Sequence, residues 1–278
     1  MIVDAHLHVF LSQREDPART ADALAPADRR APIEQLLATM DMHGVDRAVV
    51  VPLGPEDAYV TRVLREHHER FRGICVDDPS TTPQTVLDRV VDGGFEGVRM
   101  FGLPEAERDR WERLVAILAE RDLVLWMYPR AEDLPRLRQV ASAHPELRIA
   151  LNHSGLVQSG IGVDEQGRPR IDSPVPQPTR GEVAALAEYP NLVVLLSGAY
   201  GFSTEPYPYA DVAAHVAPIA RAFGPARLLW ASDFPWPIED PGYGRLLDLV
   251  DHHLPDLSPA ARTDVLGESC RRFLRWES

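Results

Sequence analysis

Cysteine is scarce in this chain. Cys75 and Cys270 are the two present, and they lie far apart. They build neither a metal-spacing motif nor a disulfide framework. Two lone buried thiols in a reducing cytoplasm are the expectation. No apolar run reaches the ~18 residues of a membrane span, so none is expected. The opening residues show no basic stretch followed by an apolar one, so no secretory leader is expected. Positive charge is short as well: 29 basic against 42 acidic residues leave a net charge of −13. That balance repels a phosphate backbone and argues against nucleic acid, while leaving room for a local pocket for a small anion. Arginine far outnumbers lysine, which decides little by itself. Internal repeats and low-complexity segments are missing too.

What is present suits one large globular domain: 278 residues, 45% hydrophobic and 26% charged. Apolar runs recur at "IVDAHLHV" (2–9), "RAVVVP" (47–52), "FRGICVD" (71–77) and "FEGVRMF" (95–101). Four more follow at "LVLWMY" (123–128), "LRIALNH" (147–153), "LVVLLSG" (192–198) and "LLWASD" (228–233). They are rich in Val, Ile and Leu and do not alternate, as strands covered on both faces should not. Helical patterns fill the gaps, at 32–44, 56–71, 83–94, 107–121, 132–144, 180–189, 209–224, 242–254 and 258–277. The first has Pro near its start and Gly at its end, the expected polarity. Eight strands alternating with helices predict a parallel sheet, closed most simply into a (β/α)8 TIM barrel as a single domain over 1–278. The last helix, with Phe273, Leu274 and Trp276, has two destinations: the barrel base or a second subunit.

Loop lengths are uneven. Helix-to-strand joints are short, as in "HGVD" (43–46) and "RD" (121–122). Strand-to-helix joints are long at 10–31, 154–179 and 199–209. Long loops in a compact domain are usually functional, and here they would gather at the mouth formed by the strand C-termini. Their aromatics, Tyr200, Phe202, Tyr207, Tyr209 and Trp236, could line a pocket, and "STEPYPY" (203–209) is the first candidate for a mobile lid.

The last residues of the strands carry the chemistry. In "DAHLHVF" a strand would turn His6 and His8 to one face, with Asp4 behind them. Further strand ends supply Arg99, Tyr128 with Arg130 just beyond, His153, Ser197 and Asp233. Singly, each has a bland explanation: His153 bonded to a loop, Asp233 opening a turn, Arg99 paired with Glu96. As a set on one rim they point to a site, because burying three imidazoles and an acid without purpose is costly.

The H-x-H of "DAHLHVF", with "GFEGVRMFG", "LNHSG", "LVVLLSGAYG" and "FGPARLLWASDFPWP", resembles the amidohydrolase superfamily. It is most similar to the amidohydrolase-related branch, which holds sugar lactonases and 2-pyrone-4,6-dicarboxylate lactonase. The resemblance runs from residue 2 to about 240. It implies that His6 and His8 hold a divalent metal or the substrate carbonyl, with His153 a third group there. It makes Asp233 the general base on water or a metal ligand, and Arg99 and Tyr128 the contacts to a substrate carboxylate or ring oxygen. Arg130 and Trp236 are added as further substrate contacts. At strand four Arg99 stands where a carbamylated lysine would be needed, so a two-metal centre is not expected. Strand five offers Tyr128 and strand seven Ser197 in place of histidines.

The resulting expectation is a cytoplasmic hydrolase of a small cyclic ester or related carbonyl compound, acting through an activated water. A metal-dependent decarboxylase of the aminocarboxymuconate-semialdehyde type, or a recruited biosynthetic enzyme on the same barrel, is the alternative. Two versions of the chemistry stay open. In one, a single divalent ion, zinc foremost, sits on His6, His8, His153 and Asp233. In the other, no metal is needed and the imidazoles donate to the developing oxyanion. The expected partner is a small molecule, such as one bearing a carboxylate for Arg99 and Arg130.

Overall fold

In the computed structural model the residues described are 1–55 and 57–277. Every strand of the parallel sheet is short and begins and ends within its expected run. β1 is Val3–Leu7, β2 Arg47–Val50, β3 Phe71–Gly73, β4 Cys75–Val76, β5 Gly97–Met100, β6 Val124–Met127 and β7 Arg148–Leu151. After a hairpin of β8 (Ile161–Val163) and β9 (Pro169–Ile171) come β10 (Leu192–Leu196) and β11 (Leu228–Trp230). The parallel strands form two ladders, β1-β2-β3 and β11-β10-β7-β6-β5-β4. The expected strand 71–77 is thus split at Ile74. Its first half pairs with β2 and its second with β5, and Ile74 N still donates to Val50 O at 3.0 Å. Between β1 and the chain just past β11, Asp233 N donates to His6 O at 2.9 Å and His8 N to Phe234 O at 2.8 Å.

The helices are α1 (Ile33–His43), α2 (Ala58–Glu66), α3 (Pro83–Gly93), α4 (Arg108–Glu120), α5 (Leu134–Ala143) and α6 (Arg180–Ala185). Then come α7 (Ala199–Phe202), α8 (Ala210–Phe223), α9 (Tyr243–His253), α10 (Pro259–Thr263) and α11 (Ser269–Phe273). α1 ends where Gly44 enters the left-handed region at φ 66°, and α3 starts where Thr82 Oγ1 accepts from Thr85 N at 3.2 Å. The longer helices each bury one apolar stripe, such as Trp111, Leu114, Val115 and Leu118 of α4. The expected helix at 56–71 starts at Ala58, and Glu56 lies outside the described residues. None of the described helices is long and apolar enough to cross a membrane.

Two cores explain why the strands do not alternate in polarity. Val98, Met100, Leu125, Met127, Ile149, Leu151, Val194, Leu228 and Trp230 pack outward against the helices. Their neighbours Val124, Trp126, Ala150, Val193, Leu195, Leu229 and Ala231 face the opposite way into a second cluster. That cluster is sealed by Cys270, Phe273, Leu274 and Trp276. The closing segment therefore packs on this chain's own strands. It is not the continuous helix expected over 258–277: a wider turn at Asp264–Glu268 interrupts it, where Gly267 sits directly against the Met1 backbone with no room for a Cβ. Both thiols are buried and free.

Candidate active site

β1 does not keep a regular two-residue repeat. Asp4 pairs with Ala48 and Leu7 with Val50, so three steps on β1 match two on β2. This bulge separates side chains that a regular strand would place on one face. Asp4, expected behind the histidines, turns instead toward the outer layer. Its carboxylate accepts from Tyr243 Oη at 2.7 Å, Ser232 N at 2.8 Å and His6 N at 3.3 Å. Burial pushes its pKa up to about 6, against these bonds. His6 and His8 are left facing inward, their ring centroids 4.9 Å apart.

Asp233 reaches them by an unusual backbone. It stands at φ 61°, in the left-handed region a non-glycine residue rarely enters. Its Oδ1 lies 3.8 Å from His6 Nε2 and 3.7 Å from His8 Nε2. Its Oδ2 accepts from Tyr200 Oη at 2.7 Å. Burial pushes the Asp233 pKa up to about 6, with the Tyr200 bond and the charge of Arg99 pulling it down. His8 Nδ1 meets Val51 O at 2.8 Å, which fixes that nitrogen as the donor and leaves Nε2 with a lone pair. Neither ring nitrogen of His6 has a hydrogen-bond partner among the described residues, although the side chain is fully buried. Burial and the charge of Arg99 depress the pKa of His6, His8 and His153, His8 to about 3. All three imidazoles are therefore neutral near pH 7.

One ligand atom each from His6, His8 and Asp233 fits within a 4.8 Å span. Two imidazoles and a carboxylate are a zinc-type donor set, and one of the two orphaned nitrogens of His6 is what such an ion would satisfy. His153 is not part of that group. Its ring stands 5.6 Å from that of His6 and 4.6 Å from Tyr128, with Nδ1 3.2 Å from Ser197 Oγ. His153 also has a left-handed backbone, at φ 50°. Gly198 makes room for it: a Cβ there would lie 2.8 Å from His153 Nδ1, and its φ of 76° favours glycine in any case. The chain contains no lysine, so a carbamylated lysine has no residue to form on.

His8, His153, Tyr200 and Asp233 line a cavity of about 120 Å³, and the fully buried His6 does not. Arg99, Tyr128 and Trp236 line it too. Arg99 is buried, makes no ion pair among the described residues, and lies 4.6 Å above the Phe101 ring. Burial pulls its pKa down to about 10, which leaves it charged. Glu96, its suggested partner, pairs with Arg72 at 3.0 Å instead. Tyr128 Oη has no partner among the described residues, and Trp236 stands edge-on to His8 at 5.0 Å.

Arg130 needs correction as a cavity residue. β6 ends at Met127, and the chain turns out through Pro129, leaving Arg130 exposed in a separate surface cleft with Asp133 and Arg136. The segment 203–209, expected as a candidate lid, does not line the cavity, and Thr204 N donates to Asp211 Oδ2 of α8 at 2.9 Å. The wall is built instead by the β8–β9 hairpin inside loop 154–179, by Phe202, and by Asp22 and Leu24 of loop 10–31. Loop length marked these segments, but no local pattern marked the hairpin. Tyr200, read as one pocket aromatic among several, is the hydrogen-bond donor to Asp233.

The family model for amidohydrolase matches residues 3–276. The chain belongs to the amidohydrolase family. It is 29% identical over 300 residues to the L-fucono-1,5-lactonase of Burkholderia ambifaria, covering 98% of this chain and 95% of that protein. A Pseudomonas putida protein assigned as a 2-pyrone-4,6-dicarboxylic acid hydrolase superimposes with a TM-score of 0.77 at 21% identity, covering 100% of this chain and 98% of that one. A Burkholderia multivorans amidohydrolase crystallised with bound zinc does so with 0.76 at 20% identity, covering 99% of each chain. The sequence-level resemblance thus extends to the whole chain of this amidohydrolase.

Proposed function

We propose that this amidohydrolase opens a small lactone by attack of water, with Asp233 as the general base. The observation that carries the reading is the position of Asp233 Oδ1, within 4 Å of two neutral imidazoles, in a cavity that also holds Arg99, without an ion-pair partner among the described residues. The lactonase named among its relatives supports the same reaction class. The water oxygen forms a bond to the carbonyl carbon while the ring C–O bond breaks. One water proton goes to Asp233 and then to the departing ring oxygen. The product is a hydroxy acid, and its carboxyl group releases a proton at neutral pH. In this reading His153, held through Nδ1 by Ser197, faces the carbonyl oxygen as charge develops there. Arg99 orients an anionic group.

The site suits one divalent ion of the zinc type on His6, His8 and Asp233. Such an ion supplies Lewis acidity toward the carbonyl and a lowered pKa for water. The same reading takes the parallel strands as a closed (β/α)8 barrel forming one domain over residues 1–278. It also places the enzyme in the cytoplasm, where two free buried thiols are at home.

A pH-indicator screen over a panel of lactones tests the proposal. Wild type should release acid from at least one member, and Asp233→Asn should lower kcat/KM about 10²–10⁴-fold. Turnover by the variant near the wild-type rate would remove Asp233 from the chemistry.

A further inference from the structure

Resting on the lactonase reading, we propose that the substrate is a lactone with a largely apolar or aromatic skeleton and a single anionic arm, and not a polyhydroxylated sugar lactone. The argument is a count of free polar groups around the cavity. His8, His153 and Asp233 belong to the reacting end, and the Tyr200 hydroxyl is already committed to Asp233. Asp22 commits Oδ1 to its own loop, where it accepts from Leu24 N at 2.8 Å and Ala25 N at 2.7 Å, and keeps Oδ2 as one acceptor at the exposed rim. Inside the cavity Arg99 and Tyr128 remain as the donors left over: Arg99 Nε and Tyr128 Oη have no partner among the described residues. One guanidinium with a neighbouring phenol suits one anionic group. The rest of the wall is apolar, with Leu24, Phe101, Ile161, Ile171, Phe202 and Trp236 facing the space. A sugar lactone carries several hydroxyls and would press most of them against this wall without partners, each at the cost of a lost hydrogen bond.

The exposure of the rim adds a second observation. Large apolar side chains left exposed are few among the described residues, and two of them line this cavity: Phe101 at 41% and Ile161 at 48%. Val163, 42% exposed, is two residues along β8 and so shares the face of Ile161. Exposed apolar groups gathered at one mouth mark a surface that expects an apolar ligand. The apolar substituent of the substrate is the occupant that fits, because the collar is continuous with the apolar wall inside.

Steady-state kinetics on the intact protein tests this with phthalide-3-acetate (a fused aromatic lactone with one carboxylate), its methyl ester, and L-fucono-1,5-lactone. Phthalide-3-acetate should exceed the sugar lactone in kcat/KM by roughly 100-fold, after correction for spontaneous opening. It should exceed its own ester by about tenfold. Ile161→Ser, on the exposed hairpin, should raise KM for phthalide-3-acetate several-fold, and an unchanged KM would overturn the apolar collar. A sugar lactone turned over as fast as phthalide-3-acetate, or faster, would overturn the inference. If nothing is hydrolysed, the hydrolytic reading fails and calorimetric binding decides the specificity claim alone. Phthalide-3-acetate binding about tenfold tighter than D-gluconate would uphold it, and equal or weaker binding would overturn it.

Discussion

Asp233 and Tyr200 form the pair on which the protonation state of the site turns. A hydroxyl that donates to a carboxylate favours its charged form and lowers its pKa. In Asp233 this opposes burial, which carries the pKa up to about 6. A base must be deprotonated, so kcat/KM should rise with pH through a limb near 6 and level off above it. Tyr200→Phe removes the donor, leaves burial unchanged, and should move that limb to higher pH while lowering the rate at pH 6 more than at pH 8. A pH–rate profile measures both effects. An unmoved limb would mean that the limb belongs to another group.

At the scale of elements, two backbone devices aim the side chains. The bulge in β1 points Asp4 outward and the histidines inward. The left-handed residues at the ends of β7 and β11 fold His153 and Asp233 over the same space. Gly198, after β10, leaves the gap that His153 fills. Gly198→Ala should displace that imidazole and strain the loop, costing about 1–3 kcal/mol of stability and at least about tenfold in kcat/KM. Thermal unfolding and kinetics on one preparation separate the two effects. The closing segment acts at the other end of the strands. Phe273 packs edge-on to Trp126 at 6.1 Å inside the inner cluster, so Phe273→Ala should cost about 3–5 kcal/mol. Denaturant unfolding would show the loss, and a change under 1 kcal/mol would mean that the cluster is sealed without it.

For the whole molecule, the site is a store of unfavourable solvation that ligands and pH can read out. His6, His8 and His153 are held neutral when folded and take up protons freely, near pH 6.5, when unfolded. Below that pH the unfolded chain binds more of these protons, so their contribution to stability is lost as pH falls from about 6.5. Asp4 and Asp233 act oppositely: each is raised from 3.8 to about 6, so their contribution is present below 3.8 and lost as pH rises through 6. The three imidazoles outnumber the two acids, and the metal-free protein should lose melting temperature between pH 6.5 and 4.5. Zinc at a hundredfold excess over its Kd should raise Tm at pH 7.5 by about 5–10 °C. The gain should shrink below pH 6, as Asp233 takes a proton, and vanish in His6→Ala. Scanning calorimetry with and without zinc checks this, and no shift at pH 7.5 would favour the metal-free version of the chemistry.

The sequence by itself determined the alternation of strands and helices, their approximate limits, and the convergence of His6, His8, Arg99, Tyr128, His153 and Asp233 on one end of the sheet. Those follow from local hydrophobicity and from the rule that βα loops of parallel strands share a face. The tertiary structure alone decided the separation of Asp4 from the histidines, the exit of Arg130, the bond from Tyr200 to Asp233 and the hairpin that walls the cavity. Each depends on a bulge, a positive φ or a contact between segments distant in the chain. A periodic reading of residue types carries no information about any of these.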